Sequence, residues 1–196
     1  YKKKQVEFFN NIKKEKRKIF IISTKNHDYK GVVSLSKIDN RQKTCDISVL
    51  TDTKIEPLLA PFAGLEAIAL MSDFAFTKLK LKRIDCNFKI TQKNWFQRME
   101  ILGYKYFFRS RCTEKSFSAI MNDKKIGDKR IDDTAYFSSL NCEDFKFLKR
   151  KRGKLWDNLN SMKRRIAKLP KKTFWEIYDE FLDNKKRNYY NRIHSL

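Results

Sequence analysis

Histidine is nearly absent from this chain: its 196 residues include two, His27 and His194. That scarcity argues against a histidine metal site and against a Ser-His-Asp triad. Cysteine is sparse too, at positions 45, 86, 112 and 142, and no pair has metal-ligand spacing. Cys45 and Cys86 fall inside strand-like runs, so they read as reduced, buried thiols. The expected setting is a reducing compartment, the cytoplasm or an organelle matrix. No apolar run reaches membrane-spanning length, because Glu66 and Asp73 interrupt the most apolar stretch. No signal-peptide pattern is visible, and there are no internal repeats. The chain begins with Tyr rather than Met, so we expect an N-terminal piece to be missing.

Acidic residues are the minority charge. Asp and Glu number 23 against 45 Lys and Arg, for a net charge of +22. Such an excess favours polyanions: nucleic acid, a phosphorylated cofactor or an anionic membrane face. Lysine-rich solvated faces would give the same count. With 41% apolar and 14% aromatic residues the composition is globular, and the length allows one sizeable core plus an appendage.

Hydropathy spacing orders the elements. QVEFFNNIKKEKRK (5–18) suits a short amphipathic helix. KIFIIST (18–24), VVSLSKI (32–38) and CDISVL (45–50) read as strands of an antiparallel meander. The next stretch, APFAGLEAIALMSDFAF (60–76), opens with small residues and continues as a helix. Leu65, Ile68, Ala69, Ser72, Ala75, Phe76 and Leu79 share one face of it. LKRIDCNF (81–88) is a further strand. TQKNWFQRMEILGY (91–104) is a helix with Trp95, Met99 and Leu102 on one stripe and Gly103 as a left-handed cap. YKYFFRSRC (104–112) and DTAYFSSL (133–140) read as a final antiparallel pair, joined through a charged loop at 121–132.

From 143 onward the chain is basic. FKFLKRKRGK (145–154) is a cationic run. Leu155, Leu159, Met162, Ile166 and Leu169 then mark an amphipathic helix that Pro170 ends. Thr173 and Glu176 have the spacing of a capping box for a last helix carrying Phe174, Ile177, Tyr178, Phe181 and Leu182.

Strand, small-residue loop and helix is an arrangement that holds phosphates. Here DISVLTD (46–52), GLEAIALMSDFAFTKLKLKRIDCNF (64–88) and MEILGY (99–104) resemble the GNAT superfamily of acetyl-CoA-dependent N-acetyltransferases. The similarity spans roughly 5–145. It is nearest to the branch that acetylates amino sugars on nucleotides, or protein N-termini. The resemblance implies an α/β fold: a mixed, mostly antiparallel sheet flanked by helices. It implies a GNAT-like domain over 1–145, with the family's first strand and helix lying before Tyr1, and a basic helical extension over 146–196.

What the resemblance implies for the site is specific. Acetyl-CoA would be the co-substrate, with no metal, and an amine the acceptor. Coenzyme A would be held by Val49, Leu50 and Thr51 on the strand, by Ala60, Phe62, Ala63, Gly64 and Leu65 at the helix start, and by Gln92. A strand amide near Val49 would polarise the thioester carbonyl. Asp46 stands where many relatives have a strand glutamate that acts as base or orders a water. The family's loop has glycine-type residues where this chain has Ala60 and Phe62, with Pro61 between them. It places a hydrogen-bonding residue where Trp95 stands and a tyrosine acid where Met99 stands. These departures open a second reading, a catalytically inactive GNAT-like subunit that contacts RNA in a large assembly such as a ribosome. Lys149, Arg150, Lys151, Arg152, Lys163, Arg164 and Arg165 would then grip phosphates. A contact with an anionic membrane through 145–169 is a third possibility.

Overall fold

The computed structural model describes residues 10, 17–26, 28–52, 59–89, 93–110, 135–172 and 174–194. The expected helix at 5–18, the loop at 121–132, Cys112, Thr173 and Gln92 fall wholly or mainly outside them.

Six strands form one sheet: β1 (Lys18–Ser23), β2 (Tyr29–Asp39), β3 (Thr44–Thr51), β4 (Arg83–Lys89), β5 (Lys105–Ser110) and β6 (Ala135–Asn141), in the order β1-β2-β3-β4-β6-β5. All neighbours are antiparallel except β3 and β4, which run parallel. A parallel pair needs a crossover, and α1 (Ala60–Thr77) supplies it. The mixed, mostly antiparallel sheet expected from sequence is thus observed.

Alternation decides which side is buried. Val33 and Leu35 on β2, Cys45 and Ile47 on β3, Ile84 and Cys86 on β4 and Leu140 on β6 lie on one side beneath α1. From α1, Leu65, Ile68, Ala69, Ser72, Ala75 and Phe76 are buried as expected, together with Ala67 and Met71. The helix begins with Pro61 in its first turn, where a missing N–H costs nothing. The helix α2 (Lys93–Ile101) adds Met99 and Ile101 to the same core, with Leu102 just beyond it. Ser72 donates to the Ile68 carbonyl (2.7 Å) and its hydroxyl meets that of buried Tyr104 at 2.8 Å, so the polar pair inside the core is satisfied. Cys45 and Cys86 are free and buried, and burial pushes each thiol up to about 12.

The C-terminal part differs from the expectation. The cationic run lies in a helix, α3 (Cys142–Arg152), and the amphipathic helix expected from Leu155 begins only at α4 (Leu159–Ala167). Gly153, at φ +76°, ends α3, and the Asn158 side chain accepts from the Ser161 amide to start α4. Leu155 and Trp156, in the break, are buried in the main core with Phe145 and Met162. The expected boundary at 145–146 therefore falls within α3, and residues on both sides of it share one core. Glu100 holds the start of α5 (Phe174–His194) through the Phe174 amide, and Tyr178 packs on Tyr106. Phe174, Ile177 and Phe181 are exposed on α5. Among the described residues, no helix is long and apolar enough to cross a membrane.

Candidate active site

The parallel strands β3 and β4 pair at Thr44–Arg83, Cys45–Ile84 and Asp46–Asp85. Beyond Asp46, β3 runs on to Thr51 and β4 to Lys89 without pairing to each other. The sheet therefore splits at its centre. On its other side β3 stays in register with β2 from Thr51 back to Asp46, and the Asp52 amide donates to the Lys30 carbonyl at 2.9 Å. Residues of an antiparallel pair alternate between facing their partner and facing away. Counting back from Asp52, Leu50 and Ser48 address β2, so Val49, past the last rung with β4, turns its N–H and C=O toward the split. An extended chain inserted there would find unpaired backbone groups waiting.

The start of α1 stands beside the split. The Leu59 carbonyl accepts the Phe62 amide at 2.9 Å and the Ala63 amide at 3.0 Å, and Pro61 has no N–H. The phosphate cradle expected from Ala60, Phe62 and Ala63 is thus short of free backbone donors. Leu65 is fully buried, so its side chain serves the core. Gly64 answers to a neighbour: a Cβ there would stand 2.6 Å from Trp95 Cη2 and 3.1 Å from Thr51 Cγ2. The indole of Trp95 thus lies across the end of β3 and the first turns of α1. Sequence reasoning set Trp95 down as a departure; the structure makes it the reason for Gly64. Leu50 is 70% exposed on the opposite side of the sheet from Val49 and Thr51.

That opposite side carries the carboxylates. Asp46 and Asp85 are register partners, about 4.8 Å apart along the pairing direction, at the last rung before the strands part. A β-bulge between Ser36 and Asp39, with Lys37 at φ +48°, brings the Lys37 ammonium to 2.8 Å from Asp46. Arg83 lies 3.0 Å from Asp85. Burial pushes the Asp85 carboxyl above the ordinary aspartate range, and the charge on Asp46 pushes the same way, while Arg83 opposes both. Asp85 was not singled out from the sequence, where RIDC reads as an ordinary strand. Met99 is buried, and Tyr104, fully buried, holds its proton well above the usual phenol range. Neither is placed to protonate a thiolate in the split.

A folded state that holds a proton more tightly than the unfolded chain loses stability as the pH rises from the ordinary value through the raised one. Asp85 therefore costs stability as the pH rises above about 4, its ordinary value, and Glu100 and Glu66, also raised by burial, act in the same sense. Asp85→Asn should flatten this decline relative to the unsubstituted chain in thermal melts above that pH. An unchanged slope would show that the Asp85 proton is not part of it.

The cations proposed to grip nucleic acid divide. Lys149 pairs with Asp73 at 2.6 Å, Arg152 donates to the Ile101 carbonyl at 2.6 Å, and Arg165 pairs with Asp157. Arg150, Lys151 and Arg164 are exposed, and Lys163 lies 5.6 Å from the Phe62 ring centroid.

No protein-family model and no curated protein matches the sequence. Solved structures do match. The spermidine/spermine N-acetyltransferase of Vibrio cholerae, solved in complex with manganese ions, aligns with a TM-score of 0.60 at 12% identity, over 76% of this chain and 79% of that one. A mutant form of the same enzyme gives 0.60 at 13%, over 74% and 80%. A dodecameric spermidine N-acetyltransferase from the same organism gives 0.57 at 14%, over 76% and 78%. At such identities the likeness is one of architecture: the chain has the GNAT-type fold of these N-acetyltransferases.

Proposed function

We propose that the protein is an acetyl-CoA-dependent N-acetyltransferase acting on a primary amine. The observation that carries this is the parting of β3 and β4 after Asp46–Asp85, with the backbone of Val49 turned into the gap beside the start of α1. The gap suits the pantetheine arm, which has the amide groups to pair with a strand edge. The Val49 N–H would polarise the thioester carbonyl. The amine, deprotonated by Asp46 or by a water it holds, attacks the carbonyl carbon. The C–S bond breaks, and the departing thiolate takes its proton from water.

For the acceptor, the sequence resemblance supports a sugar-nucleotide amine or a protein N-terminus. The structural neighbours add polyamines to the trial set by their names. Two carboxylates at the floor of the split suit any cationic amine. Calorimetry with acetyl-CoA at moderate salt, where diffuse charge attraction is screened, is the direct test. Saturable one-to-one binding, followed by acetylation of one of the three amine classes, is the expected result. Absence of binding to folded protein would overturn the proposal.

A further inference from the structure

Phe62 is the residue that most disfigures the phosphate loop, since it puts a bulky ring where a small residue is expected. The ring has company. The Arg98 guanidinium of α2 lies 5.9 Å from its centroid, and the Lys163 ammonium of α4 lies 5.6 Å from the same centroid. These two cations come from helices far apart in sequence, and each lies within 6 Å of one ring centroid. Among the described residues neither takes part in an ion pair, whereas Lys149, Arg165 and Lys172 each have a carboxylate. Two like charges brought to one ring repel, and the attraction of an exposed cation to a ring is only about 0.5–1 kcal/mol. They also gather beside the first turn of α1, whose dipole disfavours cations. An arrangement with three positive contributions, and with no ion pair to either cation among the described residues, suits a multiply charged anion.

We infer that Arg98 and Lys163, held on the Phe62 ring, bind the phosphates of the cofactor in place of the backbone amides that Pro61, Phe62 and Ala63 do not offer. This rests on the acetyl-CoA reading above and deepens it. Backbone donors are exchanged for side-chain donors, which need no glycine and no close approach of the main chain. The C-terminal extension then belongs to the cofactor site: α4 supplies half of the counter-charge. Its docking has an anchor at each end. Met162 is fully buried in the core, and Gln97 of α2 donates to the Pro170 carbonyl just past α4. Either the 3′-phosphate or the pyrophosphate could be the group held, and both are dianionic or nearly so at neutral pH.

The test is calorimetric binding of acetyl-CoA to the full chain and to Arg98→Gln, Lys163→Gln and Lys168→Gln. Lys168 is an exposed cation at the end of the same helix and controls for net charge. The expected result is a loss of about tenfold in affinity for each of the first two variants, with a shallower salt dependence, and no change for the third. Repeating the series with 3′-dephospho-CoA tells which phosphate is held: the variant effects vanish if it is the 3′-phosphate and persist if it is the pyrophosphate. Circular dichroism and melting temperature establish that each variant is folded. Wild-type binding with Arg98→Gln and Lys163→Gln indistinguishable from it overturns the inference and leaves the acetyltransferase reading standing. Equal losses in all three variants also overturn it, since the attraction would then be diffuse. No binding by the unsubstituted chain is the distinct result that removes both.

Discussion

Asp46→Asn is expected to lower kcat/KM for the amine by roughly 10²–10⁴-fold, the range for loss of a general base. Affinity for acetyl-CoA should hardly change. The substitution keeps the shape of the side chain and the strand pairing on both sides, so Val49 and the gap stay where they are. It removes the group that accepts the ammonium proton. The competing account is that Asp46 merely partners Lys37, which is 79% exposed. An exposed pair of this kind is worth about 0–1 kcal/mol, and losing it would leave turnover alone. Lys37→Gln separates the accounts because it breaks the same ion pair from the other side. If Lys37→Gln slows the reaction as much as Asp46→Asn, Asp46 is a positioning group. If neither slows it by more than about threefold, the base is elsewhere. Steady-state rates for the three proteins, with coenzyme A release as the readout, decide it.

Strands β2 and β3 were legible in the sequence because Val33 and Leu35, and Cys45 and Ile47, recur at alternate positions on the side that meets α1. Period-two alternation in VVSLS and CDISVL marks that sidedness directly. The buried face of α1 was legible for the same reason at period 3.6. What could not be read was whatever depends on which elements meet. Asp85 gains its meaning from lying opposite Asp46, and that register is made by a crossover through α1. Trp95 and Gly64 sit on different helices and explain each other only when those helices touch. Phe62 looked like damage to a loop until Arg98 and Lys163 appeared over it. In the C-terminal helices the apolar stripe was legible, but the start of α4 at Leu159 and the helical state of the cationic run were not. The KRKR run of α3 reads as a cationic run, yet Phe145, one turn before it, lies tilted against Phe76 at 4.8 Å between ring centroids and fixes the helix to the core. One buried aromatic outweighs several exposed lysines, because its burial is worth about 1.5–3 kcal/mol and an exposed charge near nothing.

Gly31→Ala should be the most damaging single methyl in the described structure. A Cβ at Gly31 would stand 2.1 Å from the Leu50 carbonyl oxygen and 2.8 Å from the Thr51 Cα. Both are backbone atoms, so no rotamer change relieves the contact, and the φ of +151° is itself one that alanine rarely adopts. The register partner of Gly31 is Thr51, at the end of β3 that borders the split. The strand must move away from β2, and the direction open to it is across the gap beside Val49. Stability should fall by about 3 kcal/mol or more, which is the mark of backbone strain combined with overpacking. Any folded fraction should bind acetyl-CoA poorly, because the gap narrows. Gly153→Ala is the matched control. It has a positive φ of +76° and nothing within 4 Å of the added carbon, so its cost is confined to the conformation, about 1 kcal/mol. Melting curves of the two variants, recorded with and without acetyl-CoA, separate strain from collision. If the two are equally stable, β3 yields where it borders the split, and the width of the gap is not set by β2.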